Sequence, residues 1–194
     1  MFEEFKNTSI IKRAIEKEIV SIDVIDIRDF TEDKHKRVDF PPYGGGSGMV
    51  MSCEPLSKAI DYSVAKLKEI DDKEIKMIYM SPRGVVLNYN LSKSLALSDA
   101  NYIIICGHYE GIDERIIEEY NIEEISIGDY VLTGGELASQ VLMDSCIRLI
   151  PGVLSEGSLD EESHTNKLLE YPQYTKPYNF RGRYVPEVLI SRSS

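Results

Sequence analysis

The sequence has 194 residues, 42% of them hydrophobic, which suits one folded domain plus an appendage. Its formal net charge of −11 argues against non-specific adhesion to nucleic acid over the whole surface. No signal segment or membrane-spanning apolar run is present, and three widely separated cysteines argue against a disulfide framework or zinc site, so we expect a cytoplasmic protein with buried thiols.

The first quarter of the chain changes its period twice. Apolar residues from Phe2 to Ile15 recur at helical spacing, and "VSIDVIDI" (20–27) alternates as a strand does, which predicts a helix followed by a strand. A loop without periodicity follows from residue 28 to 53. It contains "DKHKR" (33–37), either a solvated loop or a local basic patch, and "PPYGGGSG" (41–48), too rich in glycine for regular structure.

The rest of the chain alternates between helices and short apolar runs. Helices are predicted at 54–70, 91–98, 112–120 and 135–150. Strands are predicted at 75–80, 101–106 and 125–128. This alternation indicates an α/β fold with a parallel sheet flanked by helices.

Three successive strands end in polar turns that contain glycine: "SPRG" (81–84), "GHYEG" (107–111) and "GDYVLTGG" (128–135). Ligands of open parallel sheets bind beyond the carboxyl ends of the strands, so the three turns can converge on one site. Each of these glycines, taken alone, is as consistent with a structural turn or helix start as with a ligand-binding site. The dinucleotide fingerprint and the phosphate-loop lysine are absent, which favours an adenosine attached to a cation. A weaker alternative is phosphate binding by "GGGSG" as an anion nest.

Five longer motifs resemble the bacterial tRNA (guanine-N1)-methyltransferase family. They are "PYGGGSGMVM" (42–51), "GHYEGIDER" (107–115), "EISIGDYVLTGGE" (124–136), "RLIPGVL" (148–154) and "LLEYPQYTKP" (168–177). The resemblance implies a SPOUT-class domain over 1–159 with a deep trefoil knot at about 79–154, followed by a linker and truncated tRNA-binding remnant over 160–194. It implies methylation by S-adenosylmethionine of N1 of the guanosine at position 37 of tRNA, next to the anticodon.

The resemblance also implies which residues bind S-adenosylmethionine. They are Tyr79, Met80, Ser81, Pro82, Gly107, Tyr109, Glu110, Ile127, Gly128, Asp129, Tyr130, Val131, Leu132, Gly134 and Gly135. Glu110 is the expected carboxylate near the sulfonium, because opposite charges attract. An exposed loop acid is the alternative for Glu110.

Catalysis needs a base, because N1 of guanine carries a proton at neutral pH. By resemblance this base is Glu162, with Glu161 and Asp160 as neighbouring alternatives and a solvated acidic linker as the plain interpretation. Arg148 is expected to position the guanine, unless it only binds carbonyls at a helix end. No protein-bound metal site is predicted, and whether Mg²⁺ assists deprotonation stays open.

The family acts as a homodimer with the active site between subunits, so the resemblance implies tRNA and a second copy as partners and an inactive monomer. The sequence departs from the family in lacking its usual first strand and most of its basic C-terminal helical domain. It also has His108 for a frequent arginine and Arg83 for a frequent glutamine. The alternative is therefore a truncated, catalytically impaired module that binds cofactor and dimerises.

Overall fold

The structure is a computed structural model that describes residues 1–154 and 172–190. The chain divides into two units, residues 1–155 and 156–194. The helices are α1 (Phe2–Lys6), α2 (Ser9–Glu16), α3 (Cys53–Ile70), α4 (Tyr89–Leu97), α5 (Glu114–Glu119), α6 (Gly135–Ile147) and α7 (Glu187–Ile190). The strands are β1 (Asp39–Phe40), β2 (Val50–Met51), β3 (Glu74–Val86), β4 (Ala100–Ile105), β5 (Glu123–Ser126), β6 (Asn179–Phe180) and β7 (Arg183–Tyr184).

The centre of the first unit is a parallel sheet with the strand order β4-β3-β5. This confirms the predicted α/β class with a parallel sheet flanked by helices. β3 is longer than predicted, because it pairs twice with β5: Met80 and Val85 both lie opposite Ile125. Residues 81–84 therefore bulge out of one continuous strand, an irregularity called the excursion below, whereas the sequence predicted that the strand ends there.

Both faces of the sheet are buried, as the apolar run "MIYM" (77–80) of the central strand predicts. Tyr79 packs with Leu56 and Ile60 of α3 on one face. Ile78 and Met80 pack with Leu95 of α4 and Leu142 of α6 on the other face. A third cluster joins α1 and α2 to the end of α6.

The predicted helices are present with shifted ends. α5 begins at Glu114 because the Asp113 side chain accepts a hydrogen bond from the backbone N–H of Arg115. α6 ends at Ile147 and not at 150, since the residue before Pro151 disfavours helical backbone and the chain there forms tight turns.

The predicted strand at 20–27 is wrong. Residues 20–26 form no helix or strand, and Ile27–Phe30 form a short 3-10 helix. Val20 and Ile22 are half-buried and pack against the third cluster, whereas Val24 is exposed, so the alternation does not continue through the segment. In the described residues no neighbouring strand pairs with this segment. The opening helical segment is also divided, because Thr8 leaves the helical conformation and α2 begins after it.

The glycine-rich segment 41–48 forms no helix or strand, as predicted, but it connects β1 and β2, which pair antiparallel. In the second unit, Arg181 and Gly182 both have positive φ and form the two-residue turn of the β6–β7 hairpin.

No helix in the described residues is long and apolar enough to cross a membrane.

Replacing Ile60 with alanine is expected to lower the free energy of unfolding by about 2–5 kcal/mol, because the side chain is 2% exposed beneath the sheet. Ile70 lies in the same helix and is 64% exposed, so Ile70→Ala is a matched control with an expected change below about 0.5 kcal/mol. Urea unfolding monitored by circular dichroism measures both. Equal losses of unfolding free energy in the two variants would disprove that α3 packs on the sheet through the face that carries Ile60.

Candidate active site

The turns after β4 and after β5 are joined through their backbones. The N–H of Gly135 donates to the carbonyl of Gly107 at 2.8 Å, and His108 forms an antiparallel bridge with Gly134. The His108 ring also contacts the carboxylate of Glu136 in the first turn of α6. Two of the three predicted turns therefore lie side by side.

Gly135 is required by packing. A Cβ at this position would lie 2.8 Å from the Cα of Cys106 and 2.8 Å from the backbone N of Gly107, and neither backbone atom can move alone. The close approach of the two turns consequently depends on glycine, which has no side chain, at position 135.

The excursion at 81–84 is held by contacts with distant residues. Arg83 donates to Glu124 of β5 at 2.9 Å and to Glu114 of α5 at 2.6 Å, and these two carboxylates raise the pKa of its guanidinium. Gly84 lies so close to the backbone of Glu124 that a Cβ would approach its carbonyl carbon to 2.4 Å. The first turn is thus fixed against β5, and Tyr79 just before it packs against Gly107 of the second turn.

A cavity of about 940 Å³ opens between the first two turns and the loop that joins β1 to β2. This volume lies within the range of small-molecule sites. Four predicted cofactor residues line it: Tyr79, Ser81, Pro82 and Glu110. The turn at 127–135 is not among the residues that line this cavity, and it is joined to the second turn by the bridge between His108 and Gly134.

The charges around the cavity leave a negative excess. Arg83 is paired with two carboxylates, and Arg115 donates to Asp113 at 2.8 Å, which lowers the pKa of Asp113. Within the described residues the carboxylate of Glu110 has no ion-pair partner. A positively charged ligand fits these surroundings better than a phosphate does.

The turn at 127–135 is partly closed by its own side chain. The hydroxyl of Tyr130 donates to the carbonyl of Ile127 at 3.2 Å, and its ring covers Gly128. The buried hydroxyl of Ser126 donates to the Gly128 carbonyl at 3.0 Å. Asp129, Val131 and Leu132 point outward and are exposed, whereas Met80 is buried in the core below the site.

The comparison with known proteins decides the family. The sequence profile of tRNA (Guanine-1)-methyltransferase TrmD matches residues 1–193. The chain belongs to this family. A tRNA (guanine-N(1)-)-methyltransferase of Ruminiclostridium cellulolyticum is 54% identical, with 98% of this chain and 82% of the relative aligned. Proteins of the same name from Malacoplasma penetrans and Clostridioides difficile are 50% and 48% identical over 98% of this chain and 80% and 81% of theirs.

The residues expected to perform methyltransferase chemistry are placed only in part. Glu162, Glu161 and Asp160 lie outside the described residues, so the base stays a prediction. Arg148 is half-buried at the C-cap of α6, where its backbone N–H donates to the carbonyl of Asp144 at 3.4 Å. Residues 1–154 and 172–190 contain no group of three or more metal-ligating side chains, so a role for Mg²⁺ has no support in them.

The basic segment of this family member is largely neutralised by its own carboxylates. Two nitrogens of Arg37 donate to Asp33 at 2.7 and 3.2 Å and lower the pKa of that carboxyl, and Lys36 lies 3.4 Å from Asp29. This favours the interpretation of 33–37 as a solvated loop over that of a strong basic patch.

The three cysteines are free, as predicted, but only partly buried. Burial raises the pKa of Cys106 to about 11, so its thiol is neutral at physiological pH.

The sequence analysis did not predict that Asp113 and Arg115 line the cavity. Their presence in the motif "GIDER" was the available signal.

Proposed function

We propose that this protein transfers a methyl group from S-adenosylmethionine to N1 of the guanosine at position 37 of tRNA, next to the anticodon. The observation that carries this proposal is the family match over residues 1–193. The backbone contacts that join the turns at Gly107 and Gly135 support it, because they create a compact set of main-chain groups at the carboxyl edge of a parallel sheet.

The cofactor is proposed to bind at the three turns, through residues of 79–82, 107–110 and 127–135. S-adenosylmethionine, when bound, supplies a methyl group on a positively charged sulfur. Glu110 favours such a cation, since its carboxylate is not compensated by an arginine or lysine within the described residues. Gly135 lets the third turn lie directly against the backbone of the second turn, and Gly107 leaves room for the ring of Tyr79 just before the first turn.

The proton on N1 of guanine is proposed to pass to the carboxylate of Glu162, which leaves a nitrogen lone pair aimed at the methyl group. Arg148 orients the guanine. Positioning of the two reactants and removal of the proton together supply the acceleration.

A second copy of the chain is proposed to complete the site. Five apolar residues on the third turn and on α6 are exposed in the single chain: Tyr130, Val131, Leu132, Leu137 and Val141. Large exposed apolar patches commonly mark interaction surfaces. We propose that this patch is buried in a homodimer whose active site lies between the subunits. The SPOUT-type knot at about 79–154 and a cytoplasmic location are further parts of the proposal.

The protein is expected to transfer labelled methyl groups to a tRNA transcript that has guanosine at position 37. Nuclease digestion of the product should release 1-methylguanosine, and a matched transcript with adenosine at this position should stay unlabelled. Equal labelling of both transcripts, or no labelling of either, would overturn the proposal.

A further inference from the structure

We infer that Tyr43 is a stacking platform for an unpaired nucleobase of the RNA substrate, next to the guanosine that is methylated. This inference rests on the proposed function and adds a positioning residue to it. The platform holds the substrate loop at the mouth of the cavity and takes no part in the proton or methyl transfer.

The first observation is the exposure of the Tyr43 ring. Tyr43 is fully exposed although it is among the residues that line the cavity. Within the described residues no hydrogen bond or ring contact involves it. Pro41 and Pro42 precede it and restrict the backbone that carries the ring. A bulky amphipathic ring is therefore presented to solvent from a stiffened segment.

The second observation is that the base of this loop is tied to the second cofactor turn. The carbonyl of Met49 accepts a hydrogen bond from the N–H of Glu110 at 3.0 Å, and the N–H of Met51 donates to the carbonyl of Gly111 at 2.9 Å. A Cβ at Gly48 would lie 2.6 Å from Glu110, so Gly48 is packed against this turn. These contacts fix the place of the loop relative to the cavity.

The third observation concerns the glycines at the tip of the loop. Gly44 and Gly45 have positive φ, and a Cβ at either position would contact nothing within 4 Å. The left-handed backbone accounts for glycine at both positions, and the open space around them leaves the backbone beside Tyr43 uncovered. A bare backbone next to an exposed ring allows another chain to approach closely.

The charge of the cavity decides which part of an RNA can occupy this place. Arg83 and Arg115 are engaged by carboxylates, and Glu110 adds an uncompensated negative charge. This excess of negative charge favours an uncharged base over a phosphate at this place. Proteins recognise single-stranded RNA loops by stacking splayed bases on aromatic side chains. The same charges argue against an anion nest at 44–48.

The test compares Tyr43→Leu with Tyr43→Phe, and uses Tyr62→Leu as a control at an exposed tyrosine on α3. Tyr43→Leu should raise the KM for tRNA roughly tenfold or more, while Tyr43→Phe and Tyr62→Leu change it less than about twofold, since stacking needs the ring and not the hydroxyl. The affinity for S-adenosylhomocysteine, measured by calorimetry, and the oligomeric state should stay unchanged in all three variants.

A second readout is independent of activity. An anticodon stem-loop with 2-aminopurine beside position 37 should change its fluorescence on binding the wild type and Tyr43→Phe, but not on binding Tyr43→Leu. An unchanged KM and fluorescence response in Tyr43→Leu would overturn the inference while methylation by the wild type upholds the proposed function. A loss of cofactor affinity or of dimer in Tyr43→Leu would also overturn it, because the ring would then serve the cofactor or the second copy. Failure of the wild type to methylate any tRNA would count against the proposed function, and the fluorescence response would still decide the role of Tyr43.

Discussion

Replacing Glu162 with alanine is expected to lower the rate of methyl transfer at neutral pH by about a hundredfold to ten-thousandfold, which is the usual contribution of general base catalysis. The affinity for S-adenosylhomocysteine should stay unchanged, because the proposed role of Glu162 concerns only the proton on guanine. Single-turnover labelling of tRNA with saturating protein separates the chemical step from substrate binding.

The neighbours of Glu162 provide the controls. Glu161→Ala and Asp160→Ala should each keep labelling within about threefold of the wild type, because general base catalysis loses far more than this when the base itself is removed. The deficit of Glu162→Ala should shrink as the pH rises toward the range in which guanine loses its N1 proton unaided. A large deficit in Glu161→Ala with normal labelling in Glu162→Ala would transfer the role to Glu161.

Replacing Gly135 with alanine is expected to weaken S-adenosylhomocysteine binding by at least tenfold. The added methyl group meets the backbone of Cys106 and Gly107 at 2.8 Å, so the second and third turns must separate. Their separation also stretches the hydrogen bond from Gly135 to Gly107. The overpacking costs about 1–3 kcal/mol, and the weakened hydrogen bond adds about 0.5–1.5 kcal/mol. Calorimetric titration of the purified variant measures the loss.

Gly152→Ala is the matched control for this substitution. Gly152 has a φ of +87°, and the nearest atom to an added Cβ is Ile19 Cδ1 at 3.5 Å, so the change strains the backbone without pushing the cofactor turns apart. Thermal unfolding should show a loss of stability in both variants, but only Gly135→Ala should lose cofactor affinity. Wild-type affinity in Gly135→Ala would show that the contact between the two turns does not support cofactor binding.

The secondary structure of the sheet region could be predicted from the sequence because its signals are local. The apolar run at 75–80 predicts a strand buried on both faces, and Ile78 and Tyr79 indeed pack on opposite faces. The segment at 20–27 has an equally clear period, yet a strand also needs a partner for its backbone groups. The described residues provide none, so residues 20–26 form neither strand nor helix.

The site could be predicted only as three turns at one edge of a sheet. The excursion at 81–84 depends on Arg83 meeting Glu114 and Glu124, which lie 31 and 41 residues away along the chain. The need for glycine at 135 likewise arises from the backbone of Gly107 on another turn. Contacts between residues so far apart leave no periodic signal, and single-sequence reasoning therefore missed them.

A crystal structure of the protein with S-adenosylhomocysteine tests the central claim most directly. We expect the adenosine to contact backbone atoms of 79–82, 107–111 and 127–135, with its sulfur facing the cavity that Glu110 and Tyr43 line. Binding of the ligand at a different place in the chain, with these three turns empty, would contradict the account.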